Sequence, residues 1–566
     1  MNMGRYGLLA VALFALALSE AVAGVAATKH NLSVSGAGAV RAVSEQEVCI
    51  FCHIPHSDAP GVSLWSRNVP GGVGYYTPYT SSTAVSLPGQ PNGASVLCLS
   101  CHDGTIALGD VISEETPISL LGGVTGMPLG PSLLGTDLSD DHPVSLFYSS
   151  GLALRRGDLV DPGTLIGTVK LDFEGRMQCT SCHDPHDDRN GKFLTVDNRG
   201  GALCTTCHKH IAHWQQSAHN LSIAMWNAVP PDPWPESALH TVNENACGNC
   251  HRTHKAGGRE RLLNYVAEED NCMPCHNGNV AKTDMENSFR KISRHPVRST
   301  TGVHDPVESS IVASRHVECE DCHNPHAVRS TPGFIAGPIV GVRGISISGA
   351  EIDSASHEYE ICFRCHADSF SKPAARTPRQ IEQLNVREEF SPANPSYHPV
   401  AGIGKNQDVP SLLNPYTVNS TIGCSDCHDD DGSTAAGGSG PNGPHGSNYP
   451  PILQMRYDVL DNTSESSTVY ALCYKCHDRN SILNDQSFTS HSLHIVDQRT
   501  PCNVCHDPHG ISAIQGNALN NAALINFDIS IVQSNSMGNL RYESTGRFSG
   551  SCYLLCHGSD HAPKNY

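Results

Sequence analysis

All 24 cysteines of this 566-residue chain fall into one spacing pattern, and none is left over. Eleven units read C-x-x-C-H: Cys49, Cys52 and His53; Cys98, Cys101 and His102; Cys179, Cys182 and His183; Cys204, Cys207 and His208; Cys247, Cys250 and His251; Cys272, Cys275 and His276; Cys319, Cys322 and His323; Cys362, Cys365 and His366; Cys424, Cys427 and His428; Cys473, Cys476 and His477; Cys502, Cys505 and His506. The twelfth, Cys552-Tyr553-Leu554-Leu555-Cys556-His557, has three intervening residues and must bulge to place both thiols. Two thiols one helical turn apart, with a histidine directly after, form the attachment sequence of a c-type haem. Cys₂His also suits zinc, but zinc knuckles usually pair units into Cys₄ or Cys₃His sites and need no histidine after every second cysteine. The expectation is twelve covalent haems c and no disulfide.

A haem iron needs one further ligand for a closed site, or an open position for catalysis. Of the 32 histidines, 12 belong to the motifs and 20 remain, enough to close every site. Five of them stand three residues after a motif histidine: His56, His186, His254, His326 and His509. So placed, each lies beside its own haem and is expected to ligate a neighbouring one. His142, His295 and His398 share the context His-Pro-Val, and His30, His240, His357, His445 and His494 precede or flank motifs in similar fashion. These thirteen are the distal-ligand candidates. His491, His219, His316 and His561 compete for remaining places, while His210, His213 and His304 are read as unligated. The nine methionines repeat at no fixed offset, so bis-histidine, low-potential haems are expected.

Fold class follows from the same inventory. With 51 Gly, 36 Pro and 6% aromatics, the chain should be loop-rich, mainly coil with short α-helices and few short β-strands. Haems must then serve as its core, at about one per 45 residues. Arg5, an apolar run from Leu8 to Leu18 and small residues up to Ala27 read as a signal peptide over 1–27, and no other stretch is apolar enough to span a bilayer. A net charge of −19 disfavours nucleic acid and anionic lipid.

Four modules are expected: residues 28–175 with haems 1–2, 176–330 with haems 3–7, 331–415 with haem 8 and an insertion, and 416–566 with haems 9–12. Inside the second, CTSCHDPH…KFL…LCTTCH from Cys179 aligns with CGNCHRTH…RLL…NCMPCH from Cys247, an internal duplication of a two-haem unit. The insertion Gly333 to Ser356 is expected to form a surface hairpin. LINFDISIV, Leu524 to Val532, is the best strand candidate of the tail.

The segments KHNLS…CIFCHIPH, GQPNGASVLCLSCHDGTIALG, DHPVS, QCTSCHDPHDDRNGKFL, GPHGS, LCYKCH…SHSLHI…PCNVCHDPHG and LINFD…CYLLCHG are more specific than the bare motif. In them the chain resembles the multihaem c-type cytochromes of dissimilatory metal-reducing bacteria, the doubled-CxxCH group exported to the periplasm or cell surface. The resemblance implies bis-histidine haems stacked in alternating parallel and perpendicular pairs along an electron wire. It also implies distal-ligand roles for His30, His56, His142, His186, His295, His398, His445 and His509. Some members of the group form extracellular filaments and others sit at the mouth of an outer-membrane porin. The expected partners are therefore other multihaem cytochromes, a porin or further copies of the chain, with extracellular electron acceptors such as metal oxides. Location at the cell surface is favoured over the periplasm. The competing class is a multihaem nitrite, hydroxylamine or tetrathionate reductase with one open haem. No C-x-x-C-K motif occurs, and no catalytic residue is nominated.

Overall fold

A computed structural model describes residues 24–54, 64–209, 211, 213–299, 303–309, 311–330 and 336–566. Most of the signal-peptide segment, together with His56 and His210, lies outside the described residues. The chain forms two compact units: Met1–Gln215 with His219–Met225 and Trp234–Asn271, and Cys272–Tyr566 with Gln216–Ala218 and Trp226–Pro233. Both are loop-rich, with short helices and mostly two-residue strands, and the second also holds a sheet of longer strands near the C-terminus. No helix among the described residues is long and apolar enough to cross a membrane.

Motifs 1 to 11 each close on a short helical turn. Seven are 3-10 or α turns of three or four residues, such as Cys49–Phe51, Cys179–Cys182 and Cys502–Val504. Others end longer helices, Gly93–His102 and Glu358–His366. The recurring bond runs from the motif histidine's amide to the first cysteine's carbonyl, at 2.8 Å in His53, 3.0 Å in His183, 2.9 Å in His251 and 2.9 Å in His506. One turn sets residues three apart on one side, about 5–6 Å between Cβ atoms, so both thiols face the same way.

Apolar packing is broken into small clusters beside the motifs, as expected of a chain this poor in regular elements. In the first unit Tyr148, Leu152, Ala153, Val169 and Met177 surround Cys207, and Cys52 and Cys101 pack on a cluster around Phe51 and Leu108. In the second unit Cys424 packs on Phe363 and Phe390, and Cys505, Cys552 and Cys556 on Val504, Phe527, Val532 and Leu554.

Two local expectations need revision. The insertion does form a hairpin, Gly344–Ile345 against Glu351–Ile352, but its first strand is buried. Ile345 belongs to the cluster under helix Glu358–His366, so the alternation IVGVRGISIS reflects an inward face. Leu524 to Val532 is not a strand: it holds single bridges, His506 to Ile525 and Arg379 to Asp528, and its backbone bonds turn back on themselves. The tail sheet lies later, as Arg541–Gly546, Ser549–Cys556 and Ser559–Asn565, antiparallel with Ser549–Cys556 in the centre.

Candidate haem centres

The two-haem duplication gains a physical meaning at the motif histidines. Several of them form a β-bridge with a residue downstream, including His183 with Leu194, His251 with Leu263, His428 with Leu453 and His506 with Ile525. Two residues before each bridge partner, a carbonyl accepts from the histidine Nδ1: Lys192 O at 2.9 Å, Arg261 O at 2.8 Å, Pro451 O at 2.9 Å and Ala523 O at 2.9 Å. The residue between carries a positive φ, 58° at Phe193, 54° at Leu262, 55° at Ile452 and 64° at Leu524, which turns the carbonyl inward. The aligned KFL and RLL triplets are therefore clamps. A carbonyl cannot donate, so Nδ1 carries the proton and Nε2 presents its lone pair. Such partners fix the orientation of metal-bound imidazoles.

Nine motif histidines stand opposite a second histidine. In the first unit, ring centroids lie 6.3 Å apart for His102 and His30, 6.1 Å for His53 and His186, 6.4 Å for His208 and His142, and 6.2 Å for His183 and His254. In the second they lie 6.4 Å apart for His366 and His295, 6.0 Å for His323 and His445, and 6.5 Å for His477 and His398. They are 6.3 Å for His428 and His509, and 6.5 Å for His506 and His491. A metal–imidazole bond of about 2 Å on each side, with each ring centre a further ~1.1 Å behind its nitrogen, gives about 6.3 Å. These nine pairs of one motif and one non-motif histidine thus fit an iron between them.

Non-motif histidines meet in turn. His30, His295 and His398 direct Nδ1 to the carbonyls of Pro185 (3.1 Å), Pro444 (2.7 Å) and Pro508, the prolines just before His186, His445 and His509. His142 donates its amide to Thr253, next to His254. His254 and His509 differ in pairing Nδ1 with carboxyl oxygens, Asp141 and Glu389, each at 2.9 Å. Burial is the leading influence on most of these rings and holds them neutral: it pushes His142, His366, His428, His477 and His491 down to about 4, and His445 to about 3. At His509 burial lowers the pKa too, but the hydrogen bond and charge of Glu389 outweigh it and the net shift is upward.

Motif thiols also interact between consecutive motifs. First cysteines hydrogen-bond across motifs 2 and 3 (Cys98, Cys179), 4 and 5 (Cys204, Cys247), 8 and 9 (Cys362, Cys424), and 10 and 11 (Cys473, Cys502). Second cysteines interact across motifs 1 and 2 (Cys52, Cys101), 3 and 4 (Cys182, Cys207), 7 and 8 (Cys322, Cys365), 9 and 10 (Cys427, Cys476), and 11 and 12 (Cys505, Cys556).

A family model of the doubled CXXCH motif matches residues 173–213, the segment holding motifs 3 and 4. The chain is also 24% identical over 223 residues to a protein described as multiheme cytochrome MtrA, from Shewanella baltica (strain OS185). That match covers 38% of this chain and 47% of the relative, so the chain spans under half the length of the relative it matches. These matches support a multihaem c-type cytochrome.

Other expected ligands stand elsewhere. His357 sits exposed at a helix N-terminus, bonded through Nδ1 to Ser356 Oγ at 3.0 Å, and His240 is exposed with its amide directed to Glu244. His276 and His326 each have partners, and no ring pairing is assigned to them. His316 engages both nitrogens, with Ser314 O and Glu308 Oε1, which leaves none for a metal. His557 directs Nε2 to both carboxyl oxygens of Asp461 at 3.0 Å, while His494 faces His561 at 6.5 Å. His491 and His561, which the sequence leaves among the unplaced candidates, are thus brought into ring pairs. A signal was available for His491, three residues before His494 and so on the same helical face.

Proposed function

We propose that the chain conducts electrons along twelve bis-histidine haems arranged in the order of their motifs, in extracellular or outer-membrane electron transfer. The carrying observation is the closeness of cysteines in consecutive motifs, from 1 to 5 and from 7 to 12, four pairs through hydrogen-bonded first cysteines and the others through electrostatic interaction. Attachment points this close support a reading in which haems bound there would lie near one another in motif order. A bound haem c supplies reversible one-electron iron chemistry. The chain's own residues do the rest. Cysteines fix spacing, carbonyls hold the imidazoles of His102, His183, His251, His323, His428 and His506 in the ligating tautomer, and a second histidine would close a bound iron against substrates.

The same reading takes the protein as exported and surface-located. It would exchange electrons with other multihaem cytochromes, a porin-bound partner or further copies of itself, and finally with extracellular acceptors. Voltammetry of the purified protein on an electrode tests the central part. The expected result is a reversible envelope with no catalytic current on adding nitrite, hydroxylamine or tetrathionate; such a current would point to a reductase instead. Protease treatment of intact cells tests location, with loss of the protein expected.

A further inference from the structure

The twelfth motif breaks every rule the others keep. Cys552 and Cys556 lie on the central strand Ser549–Cys556 rather than in a helical turn, and His557 begins the tight turn that follows, with φ 48°. Its Nε2, the nitrogen left open by the clamped motif histidines, is held by both oxygens of Asp461. The ring therefore points to a carboxylate and not into the haem-binding face.

The hairpin brings another histidine to that face. Leu554 and Cys556 alternate onto one side of the strand, and although the register shifts between Cys552 and Leu554, Cys552 packs on the same cluster. Leu554 is 5% exposed, and both cysteines pack on the same cluster, so this is the inner face. His561 lies directly across from Leu554 in the antiparallel register, and directly opposed residues project to the same side. Its ring is 6.5 Å from that of His494, the separation found for the other pairs. His494 directs Nδ1 to Ser490 O at 2.7 Å, as the other ligand candidates do to carbonyls, and so offers Nε2.

The other ring pairs and the sequence position of His494 point to motif 12 for this one. Consecutive odd and even motifs share adjoining non-motif histidines: His186 and His30 for motifs 1 and 2, His254 and His142 for 3 and 4. His445 and His295 serve motifs 7 and 8, and His509 and His398 serve 9 and 10. His491 faces His506 of motif 11, so His494, three residues on, belongs to motif 12. Cys505 of motif 11 also has both Cys552 and Cys556 within electrostatic reach.

We infer that the iron of the twelfth haem is bound by His494 and His561, with His557, the histidine of the motif, held outside the coordination sphere by Asp461. This rests on the bis-histidine reading of the whole chain, which the unmutated protein tests separately by its spin state. The variants are His557→Gln, His561→Ala and His561→Met in the full-length holoprotein, read by intact mass and electron paramagnetic resonance. His557→Gln is expected to keep its full haem complement and remain wholly low-spin. A new high-spin signal or a missing haem in that variant would overturn the assignment. His561→Ala is expected to show one haem's worth of high-spin iron that returns to low spin with added imidazole, or one haem fewer by mass. An unchanged low-spin spectrum with all haems present would overturn it. His561→Met should restore low spin at a raised potential for that one haem; a spectrum and potential identical to the unmutated protein would count against the assignment.

Discussion

Motifs 11 and 12 are 50 residues apart by their first cysteines, pack on one apolar cluster, and are built on opposite principles. In motif 11 the backbone closes a turn, and the histidine that follows is clamped by Ala523 O with Nε2 open. In motif 12 the backbone is drawn into a three-stranded sheet, the following histidine is captured by Asp461, and a histidine on the next strand takes the inner face. A turn fixes ligand geometry locally, within four or five residues. A sheet fixes it by register, so the ligand is found by counting across the hairpin and not along the motif. The added residue between Cys552 and Cys556 fits this, because both cysteines pack on one cluster although the register shifts between Cys552 and Leu554.

The largest expected effect separates the two designs by their dependence on haem attachment. Cys204→Ala with Cys207→Ala removes one haem by mass and empties the centre of the cluster around Tyr148 and Leu152. It should cost about 3–5 kcal/mol of stability, read by thermal unfolding. Cys552→Ala with Cys556→Ala should lower the melting temperature less, since the backbone ladder of the sheet remains. Equal losses would break the distinction.

Glycines beside the ligands sharpen it next. A Cβ on Gly510, after His509, would lie 2.3 Å from Glu389 O and 2.7 Å from Tyr397 Cβ, at φ 149°. Gly510→Ala should therefore cost about 1–3 kcal/mol and shift part of one haem to high spin, because His509 must move. Gly558, in the turn of motif 12 at φ 76°, has open space around its Cβ. Gly558→Ala should cost only about 1 kcal/mol and leave the spin state unchanged.

The smallest effect concerns electronics. His254 and His509 have carboxyl partners, whereas His30, His295 and His398 have proline carbonyls. A carboxyl partner raises ligand basicity and lowers the potential. Asp141→Asn and Glu389→Gln should each raise one potential by on the order of tens of millivolts in spectroelectrochemical titration, with covalent haem content unchanged. No shift would mean these carboxyls only position their rings.

How much of this was legible in the sequence divides along the same line. The twelve motifs, the loop-rich fold and the informative offset of His186, His254 and His509 could all be read from local spacing. What spacing could not supply is partner identity. His186 and His254 face the motif histidines two motifs earlier, His53 and His183, and not the adjacent ones. That choice is made by how loops cross. The KFL and RLL triplets were visible as a repeat, but their work depends on positive φ at Phe193 and Leu262, which no residue type there announces. Spacing alone does not rank His561, because its relevance depends on hairpin register, and the apolar run at Leu524 to Val532 is the stronger strand pattern although the sheet lies after it.

The central claim is a chain of closed, hexacoordinate irons in motif order. Haem quantification by intact mass, combined with electron paramagnetic resonance on the fully oxidised protein, tests it most directly. The account predicts twelve haems per chain and low-spin ferric signals alone. A high-spin ferric signal that disappears on binding cyanide or nitrite would contradict it.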